Sequence, residues 1–193
     1  MYIVAGNHEM KSDKSGNIIR GTFKIPENGN GLKLFHPFDW GENTHFVVID
    51  TNEYNNSYKL GETQLEWLKK DLKNTGQKIV FVFGHEPAFS YKCHIGESLD
   101  KYPAERDVLW DIFKEHGIDA YFCGHEHLYN MSIREGICQI ITGGAGAPLR
   151  VTPQEGGYYH FIIIDVKDSG KCEVTVKDIE GLVKDNFTIK NKP

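Results

Sequence analysis

The sequence predicts an α/β (α+β) fold, and three observations support this. Short apolar segments alternate with amphipathic helical segments in the first part of the chain, and strand-like segments follow one another near its carboxyl end. The first pattern is typical of an α/β sheet and the second of a strand meander. With 193 residues, 39% of them hydrophobic, the chain can bury a substantial core. We therefore expect one domain spanning residues 1–193.

Three segments rich in β-branched and aromatic residues are predicted to be buried strands, because they are too apolar to have one face in water. They are residues 2–5, 79–83 and 118–123. A glycine follows each of them, which lets the chain turn sharply. Between the first two, Lys11–Asn43 is polar and lacks a period, so we interpret it as a long excursion on the site side of the fold.

Two amphipathic helices and four later strands complete the prediction. Leu65, Leu68 and Leu72 share one helical face, and Pro103 suits a first helical turn. The helices are expected at 62–72 and 103–116, and the strands at 136–142, 159–166, 172–179 and 183–189. Residues 168–171 form the turn of a hairpin. Trp67 and Trp110 are predicted to belong to the core.

The strand-end loops carry the candidate chemistry. Their sequences are Gly6-Asn7-His8-Glu9, Gly84-His85-Glu86-Pro87 and Gly124-His125-Glu126-His127. A divalent transition metal takes imidazole and oxygen ligands at about 2.0–2.2 Å, which must converge from separate strand ends. In open α/β sheets such convergence occurs beyond the carboxyl ends of strands. For each loop alone the alternative is a tight turn with a hydrogen-bonded histidine.

These three loops, in this order, resemble those of the calcineurin-like metallophosphoesterases. Intervening segments resemble the purple-acid-phosphatase-like branch, and the resemblance covers nearly the whole chain. These segments are residues 38–41, 45–52, 64–68 and 141–146. The resemblance implies a sandwich of two packed mixed β-sheets flanked by helices, N-terminally incomplete. It also implies hydrolysis of phosphate mono- or diesters by a dinuclear metal site.

The resemblance further implies which residues hold the metals. Asn7, His85 and His125 would bind one ion, and His127 would bind the other. The ions would be divalent or trivalent, two in the complete enzyme, and could be Fe, Mn or Zn. Two ions roughly 3.5–4 Å apart can bind phosphoryl oxygens and activate a hydroxide.

The remaining implied roles concern proton transfer and substrate binding. His8 would face the substrate phosphate as a general acid, and Glu9 would orient it. His94 and Arg106 are weaker candidates for contacting the phosphate, because such residues often only cap or pair. His45 and His160 within strands, and His116 at a helix end, are predicted to be structural.

The chain departs from the family pattern in one respect. Family members carry Asp-x-His and then Gly-Asp-x-x-Asp, whereas in this sequence no Asp is followed two residues later by His and no Gly is followed by Asp. We therefore expect an N-terminal piece to be absent, the metal site to lack a bridging carboxylate, and binding to be weak. The apolar strand 2–5 would then be uncovered, so a homo-oligomer through the N-terminal face is expected.

Composition excludes some function classes. The net charge is −5 and there is no long basic run, so nucleic-acid binding through phosphate neutralisation is not expected. Four widely spaced cysteines indicate neither a zinc knuckle nor a disulfide scaffold. They are expected to be small buried side chains, and Cys93, which lies beside His94, is the possible exception. No membrane-spanning run or signal peptide is visible, and the compartment stays open.

Two functional hypotheses remain. The first is phosphate-ester hydrolysis at a dinuclear metal site, with this chain as the larger part of the enzyme. The second is a truncated, weakly active or inactive module that binds phosphate or metal. Sequence upstream of Met1 that carries the two missing motifs would favour the first.

Overall fold

A computed structural model describes residues 1–13, 15–26, 28, 34–53 and 58–189. Four α-helices and nine strands lie within those ranges. The helices are α1 (Asn7–Ser12), α2 (Asn17–Thr22), α3 (Glu62–Asn74) and α4 (Pro103–Glu115). The strands are β1 (His36–Trp40), β2 (Thr44–Val48), β3 (Ile79–Phe83), β4 (Ala120–Cys123), β5 (Tyr129–Arg134), β6 (Ile137–Thr142), β7 (His160–Val166), β8 (Cys172–Asp178) and β9 (Val183–Ile189).

The strands form two sheets. The larger sheet has the order β1-β2-β3-β4-β6-β5, with parallel pairing from β2 through β3 and β4 to β6 and antiparallel edge strands β1 and β5. The smaller sheet is the antiparallel meander β7-β8-β9. This mixed α/β arrangement confirms the predicted fold class, and residues 168–171 connect β7 to β8 as expected.

Both faces of the larger sheet are covered, which explains why its central strands are apolar throughout. Alternate residues of β3 and β4, such as Val82 and Tyr121, pack with helices α3 and α4. The other residues, such as Phe81 and Phe122, pack with Val174 and the rest of the smaller sheet. The two sheets are therefore packed face to face, with helices on the opposite side of the larger one.

Helices α3 and α4 follow the predicted pattern. Leu68 and Leu72 are buried from α3, and Trp67 is 9% exposed and Trp110 is 2% exposed, so both tryptophans belong to the core as predicted. Pro103 occupies the first turn of α4, where its missing N–H costs no hydrogen bond. His116 is the C-cap of α4.

The predicted strand at residues 2–5 is wrong. This segment is irregular, and its apolar residues have other partners: Ala5 packs with Met10, Ile19 and Leu34, while Tyr2 stacks on Phe38 of β1 with ring centroids 3.5 Å apart. Local helices α1 and α2 supply the contacts that a neighbouring strand would have supplied. The uncovered strand on which the expected homo-oligomer rested is thus not present in the described residues.

The interpretation of residues 11–43 as a featureless excursion is also wrong in part. The segment contains the end of α1, all of α2 and strand β1, although residues 14, 27 and 29–33 lie outside the described ranges. Strand β5 was not predicted either. Both β1 and β5 are edge strands with mixed polar sequences, so they lack the apolar run that identifies a buried strand.

The four cysteines are unpaired thiols. The thiols of Cys123, Cys138 and Cys172 are free and buried, and that of Cys93 is free and half-buried. Among the described residues, no helix combines the length and the apolarity that a bilayer crossing needs.

A candidate metal centre at the strand ends

The candidate site lies at the carboxyl ends of β3 and β4. These strands are parallel neighbours, so the loops that follow them leave the sheet at the same edge. The backbone N–H of Gly124 donates to the carbonyl oxygen of His85 at 2.9 Å, which holds the two loops side by side. Parallel pairing is thus the physical reason why two histidines 40 positions apart in sequence meet.

Glycine is required where these loops approach other groups closely. A Cβ atom on Gly84 would lie 2.4 Å from the hydroxyl of Tyr121, and one on Gly143 would lie 2.0 Å from the carbonyl oxygen of Glu126. A Cβ atom on Gly6 would lie 2.7 Å from Nδ1 of His85. The last contact shows that the first loop packs directly against the imidazole of the second, as the motif pattern predicted.

Three donor atoms from the three loops converge. Oδ1 of Asn7 is 3.0 Å from Nε2 of His85, and this nitrogen is 3.2 Å from Nδ1 of His125. Two donors that each lie about 2.1 Å from one ion, at right or tetrahedral angles, are about 3.0–3.4 Å apart. The observed separations therefore match neighbouring positions around one ion, and the amide oxygen and imidazoles are ligands that a transition metal accepts.

The other ring nitrogens of two histidines are fixed by backbone carbonyls. Nε2 of His125 donates to the carbonyl oxygen of Glu97 at 2.9 Å, and Nδ1 of His127 donates to that of Pro148 at 2.9 Å. When one ring nitrogen of a neutral imidazole carries the proton, the other nitrogen has a free lone pair. Metal-bound histidines usually coordinate through this second nitrogen while the first donates a hydrogen bond. His125 therefore presents Nδ1, and His127 presents Nε2.

Burial and neighbouring charges keep His85 and His125 neutral. Burial, and after it the charges of neighbouring His125, His8, His127 and His94, lower the pKa of His85 to about 3. Burial also lowers the pKa of His125 to about 4, with His94 as the next cause. Neutral imidazoles have the lone pairs that metal coordination needs.

One acidic residue of this cluster was not singled out from the sequence. A carboxylate oxygen of Glu86 and ring nitrogens of His85 and His125 all lie within 4.8 Å of one another. The Glu86 side chain is fully buried and accepts hydrogen bonds from Thr51 and from Asn52, the latter at 2.7 and 3.0 Å. Burial raises the pKa of Glu86 to about 7. Glu86 thus places a carboxylate beside the predicted Asn and His ligands.

His8 and Glu9 lie on the rim, at the start of α1. The ring of His8 is exposed and close enough to lower the pKa of His85. The carboxylate of Glu9 accepts the N–H of Gly6 at 3.0 Å, so it stabilises the first turn of the helix. Adjacent helical residues do not face each other. The orientation of His8 by Glu9 stays a prediction, since the hydrogen bond of the Glu9 carboxylate is to Gly6.

The two substrate-binding candidates lie in different surroundings. The His94 ring has its centroid 4.3 Å from that of His125 and 6.4 Å from that of His127, so it belongs to the cluster. The guanidinium of Arg106 bonds to Asp107 at 2.7 and 2.9 Å and lies 4.6 Å from the centroid of Phe89. These contacts do not bring Arg106 to the histidines.

Comparisons with known proteins identify the family to which this chain belongs. A family model for calcineurin-like phosphoesterases matches residues 1–129. Purple acid phosphatase 23 of Arabidopsis thaliana is 28% identical over 181 residues, which cover 88% of this chain and 37% of that protein. Human tartrate-resistant acid phosphatase type 5 is 28% identical over 160 residues, which cover 74% of this chain and 48% of that protein. The chain thus spans less than half the length of these relatives.

Solved structures share the fold at lower identity. The purple acid phosphatase PPD1 from yellow lupin superposes with a TM-score of 0.73 at 19% identity, over 91% of this chain and 35% of that one. GAP50, described as the anchor in the inner membrane complex of Plasmodium, superposes with a TM-score of 0.74 at 15% identity, over 98% of this chain and 65% of that one. Proteins of different roles therefore share this fold.

Proposed function

Because the chain belongs to the calcineurin-like phosphoesterase family, we propose that it is a metal-dependent phosphohydrolase acting on phosphate mono- or diesters, with residues 1–193 forming one domain. The observation that carries this proposal is the convergence of Asn7, His85 and His125 through donor atoms 3.0 and 3.2 Å apart. Three unrelated loops supply these atoms, and hydrogen-bonded turns alone would not require such convergence.

The proposed metal ligands divide into two groups. Asn7, His85 and His125 hold one divalent or trivalent ion, and His127 supplies Nε2 to a second. The hydrogen bonds to the carbonyl oxygens of Glu97 and Pro148 support these roles, because they fix which nitrogen each ring presents. When bound, the metal ions supply Lewis-acid stabilisation of phosphoryl oxygens and lower the pKa of a water molecule.

The chain's own residues handle the substrate and the proton. His94 lies beside the metal ligands, where its ring can donate a hydrogen bond to a phosphate oxygen. His8 lies on the exposed rim of the site, where its imidazolium N–H can give a proton to the oxygen of the departing alcohol. The exposed position suits this role, because the leaving group must exit to solvent.

The direct test uses the whole chain, stripped of metal by a chelator and reloaded with Mn²⁺ or Zn²⁺. We expect hydrolysis of p-nitrophenyl phosphate or its bis-ester only after reloading, and its loss in His125→Ala. His116→Ala, at the C-cap of α4, serves as the control and should behave as wild type. Hydrolysis that survives chelation and His125→Ala alike would contradict the proposal.

A second candidate function is a phosphate- or metal-binding module with little turnover. The small number of anionic donors favours this candidate. Among the described residues, the group that could bind a metal contains one carboxylate, from Glu86. Two adjacent cations repel each other, and anionic ligands between them are needed to offset that repulsion. Calorimetry that detects one bound ion and inorganic phosphate, together with no hydrolysis of either ester, would select this candidate.

A further inference from the structure

The carboxylate of Glu126 lies between the two histidines of the Gly124–His127 loop, yet it points to a different loop. Its side chain is fully buried. Oε2 accepts the backbone N–H of Tyr91 at 2.7 Å. Oε1 accepts those of Lys92, Cys93 and His94 at 2.8, 2.6 and 3.0 Å. Four consecutive N–H groups thus converge on one carboxylate, an arrangement that stabilises a buried anion.

This contact fixes the backbone that carries His94. The carbonyl oxygen of His94 is held as well, by the hydroxyls of Ser90 and Ser98 at 3.2 and 3.3 Å and by the N–H of Glu97 at 2.9 Å. The N–H and the carbonyl oxygen of His94 are therefore both hydrogen-bonded. The ring that extends from this backbone lies against the rings of His125 and His127.

We propose that Glu126 is a positioning residue, which clamps residues 91–94 so that His94 is held ready to bind the substrate phosphate. Glu126 connects the metal centre to residues 91–94, because His125 and His127 on either side of it belong to that centre. A loop with four free N–H groups would be solvated and mobile. Substrate binding would then have to order this loop, and the ordering would cost part of the binding free energy that His94 contributes. This inference rests on the proposed function, since it assigns His94 to phosphate.

The test is a double-mutant cycle read by phosphate binding. Inorganic phosphate is titrated into Mn²⁺-loaded protein by calorimetry for wild type, Glu126→Ala, His94→Ala and the double variant. Each single change should raise the Kd for phosphate about tenfold, and the double variant should be no weaker than either. Glu126→Gln, which keeps the shape but loses the charge, should lie between wild type and Glu126→Ala.

A merely structural role predicts a different pattern. It would make the two changes additive, with phosphate binding about a hundredfold weaker in the double variant, and that result would overturn the proposal. Loss of bound Mn²⁺ in Glu126→Gln would also overturn it, because Glu126 would then act through the metal ligands. Lys92→Ala is the matched control, since it removes the ion pair with Glu155 and the contact of the ammonium with the Tyr91 ring but keeps the Lys92 N–H.

Failure of the proposed function gives a distinguishable result. If Mn²⁺-loaded wild type binds no phosphate, the proposed function fails, and the assignment of His94 fails with it. Amide hydrogen exchange separates the two: slow exchange at residues 91–94 in wild type, faster in Glu126→Gln, demonstrates the clamp without reference to phosphate. Fast exchange in wild type would overturn the clamp itself.

Discussion

Nε2 of His85 lies 3.2 Å from Nδ1 of His125, and the hydrogen bond from His125 to the carbonyl oxygen of Glu97 leaves Nδ1 without a proton. Two imidazoles in this position need a proton or a cation between their facing nitrogens, because two lone pairs would otherwise repel. The low pKa of each ring keeps the pair neutral, so at most one proton lies between the two nitrogens, as the N–H of a neutral His85, and a metal ion can take its place. The pair is therefore suited to hold a metal ion.

Glu86 should contribute the negative charge of the metal centre. Glu86→Gln removes a carboxylate that lies within 4.8 Å of both histidine donor atoms, so the attraction for a cation is lost while the shape is kept. We expect the Kd for Mn²⁺, measured by calorimetry, to rise about tenfold or more. Glu66→Gln, on the exposed face of α3, is the control. An unchanged Kd would exclude this role.

His8 should act in proton transfer and not in metal binding. His8→Ala should lower the turnover of p-nitrophenyl phosphate by about 10²–10⁴-fold, because the departing alkoxide loses its proton donor. The metal content of the purified variant, measured by elemental analysis, should match that of wild type. A variant that loses metal would show that His8 is a ligand.

The metal-free protein should lose stability as the pH falls. The folded-state pKa values of His85 and His125 are about 3 and about 4, whereas an unfolded histidine titrates near 6.5. Between these values the unfolded chain binds protons and the folded chain does not, so acid favours unfolding by at most about 1.4 kcal/mol per pH unit for each histidine. Urea unfolding between pH 7 and pH 4 should show this slope, and the slope should decrease in His85→Asn. A slope that this change leaves unaltered would contradict the assignment.

His45 should have the opposite pH dependence. Burial lowers its pKa, but hydrogen bonds to Asp71 at 2.9 Å and Asp39 at 2.6 Å outweigh burial and raise it above the usual value. A raised folded-state pKa stabilises the protein fully below the unfolded pKa, and this stabilisation is lost as the pH rises through the folded pKa. Proton NMR should find the His45 titration above pH 6.5 in wild type and lower in Asp71→Asn. A midpoint below 6.5 would mean that burial dominates.

Gly143 should be intolerant of any side chain. Gly143→Ala places a Cβ atom 2.0 Å from the carbonyl oxygen of Glu126, so the loop that carries His125 and His127 must move. We expect a loss of about 1–3 kcal/mol in the free energy of unfolding and weaker Mn²⁺ binding. Gly76→Ala is the matched control, because a Cβ atom there meets nothing within 4 Å. Equal stability of the two variants would contradict the close approach.

Much of the fold could be predicted from the sequence because its buried strands and helices have recognisable patterns of apolar residues. Strand β3, helix α3 and helix α4 are recognised by continuous or spaced apolar residues, and these segments form as predicted. Segment 2–5 has an equally apolar sequence but is irregular, because the helices α1 and α2 cover it. An apolar segment requires burial, and the sequence pattern does not state which partner provides it.

The sequence by itself determined the candidate loops, the glycines that allow them to turn, and the convergence of His85 and His125 expected from parallel strand ends. Asn7 joins these histidines from the first turn of α1 and not from a strand end. Only the tertiary structure decided the surroundings of the acidic residues beside those histidines. Glu86 and Glu126 occupy equivalent positions in two Gly-His-Glu sequences, yet one lies with the metal donors and the other holds four N–H groups of a neighbouring loop. The physical reason is that a buried carboxylate is defined by the hydrogen-bond donors around it, and those donors come from residues distant in sequence.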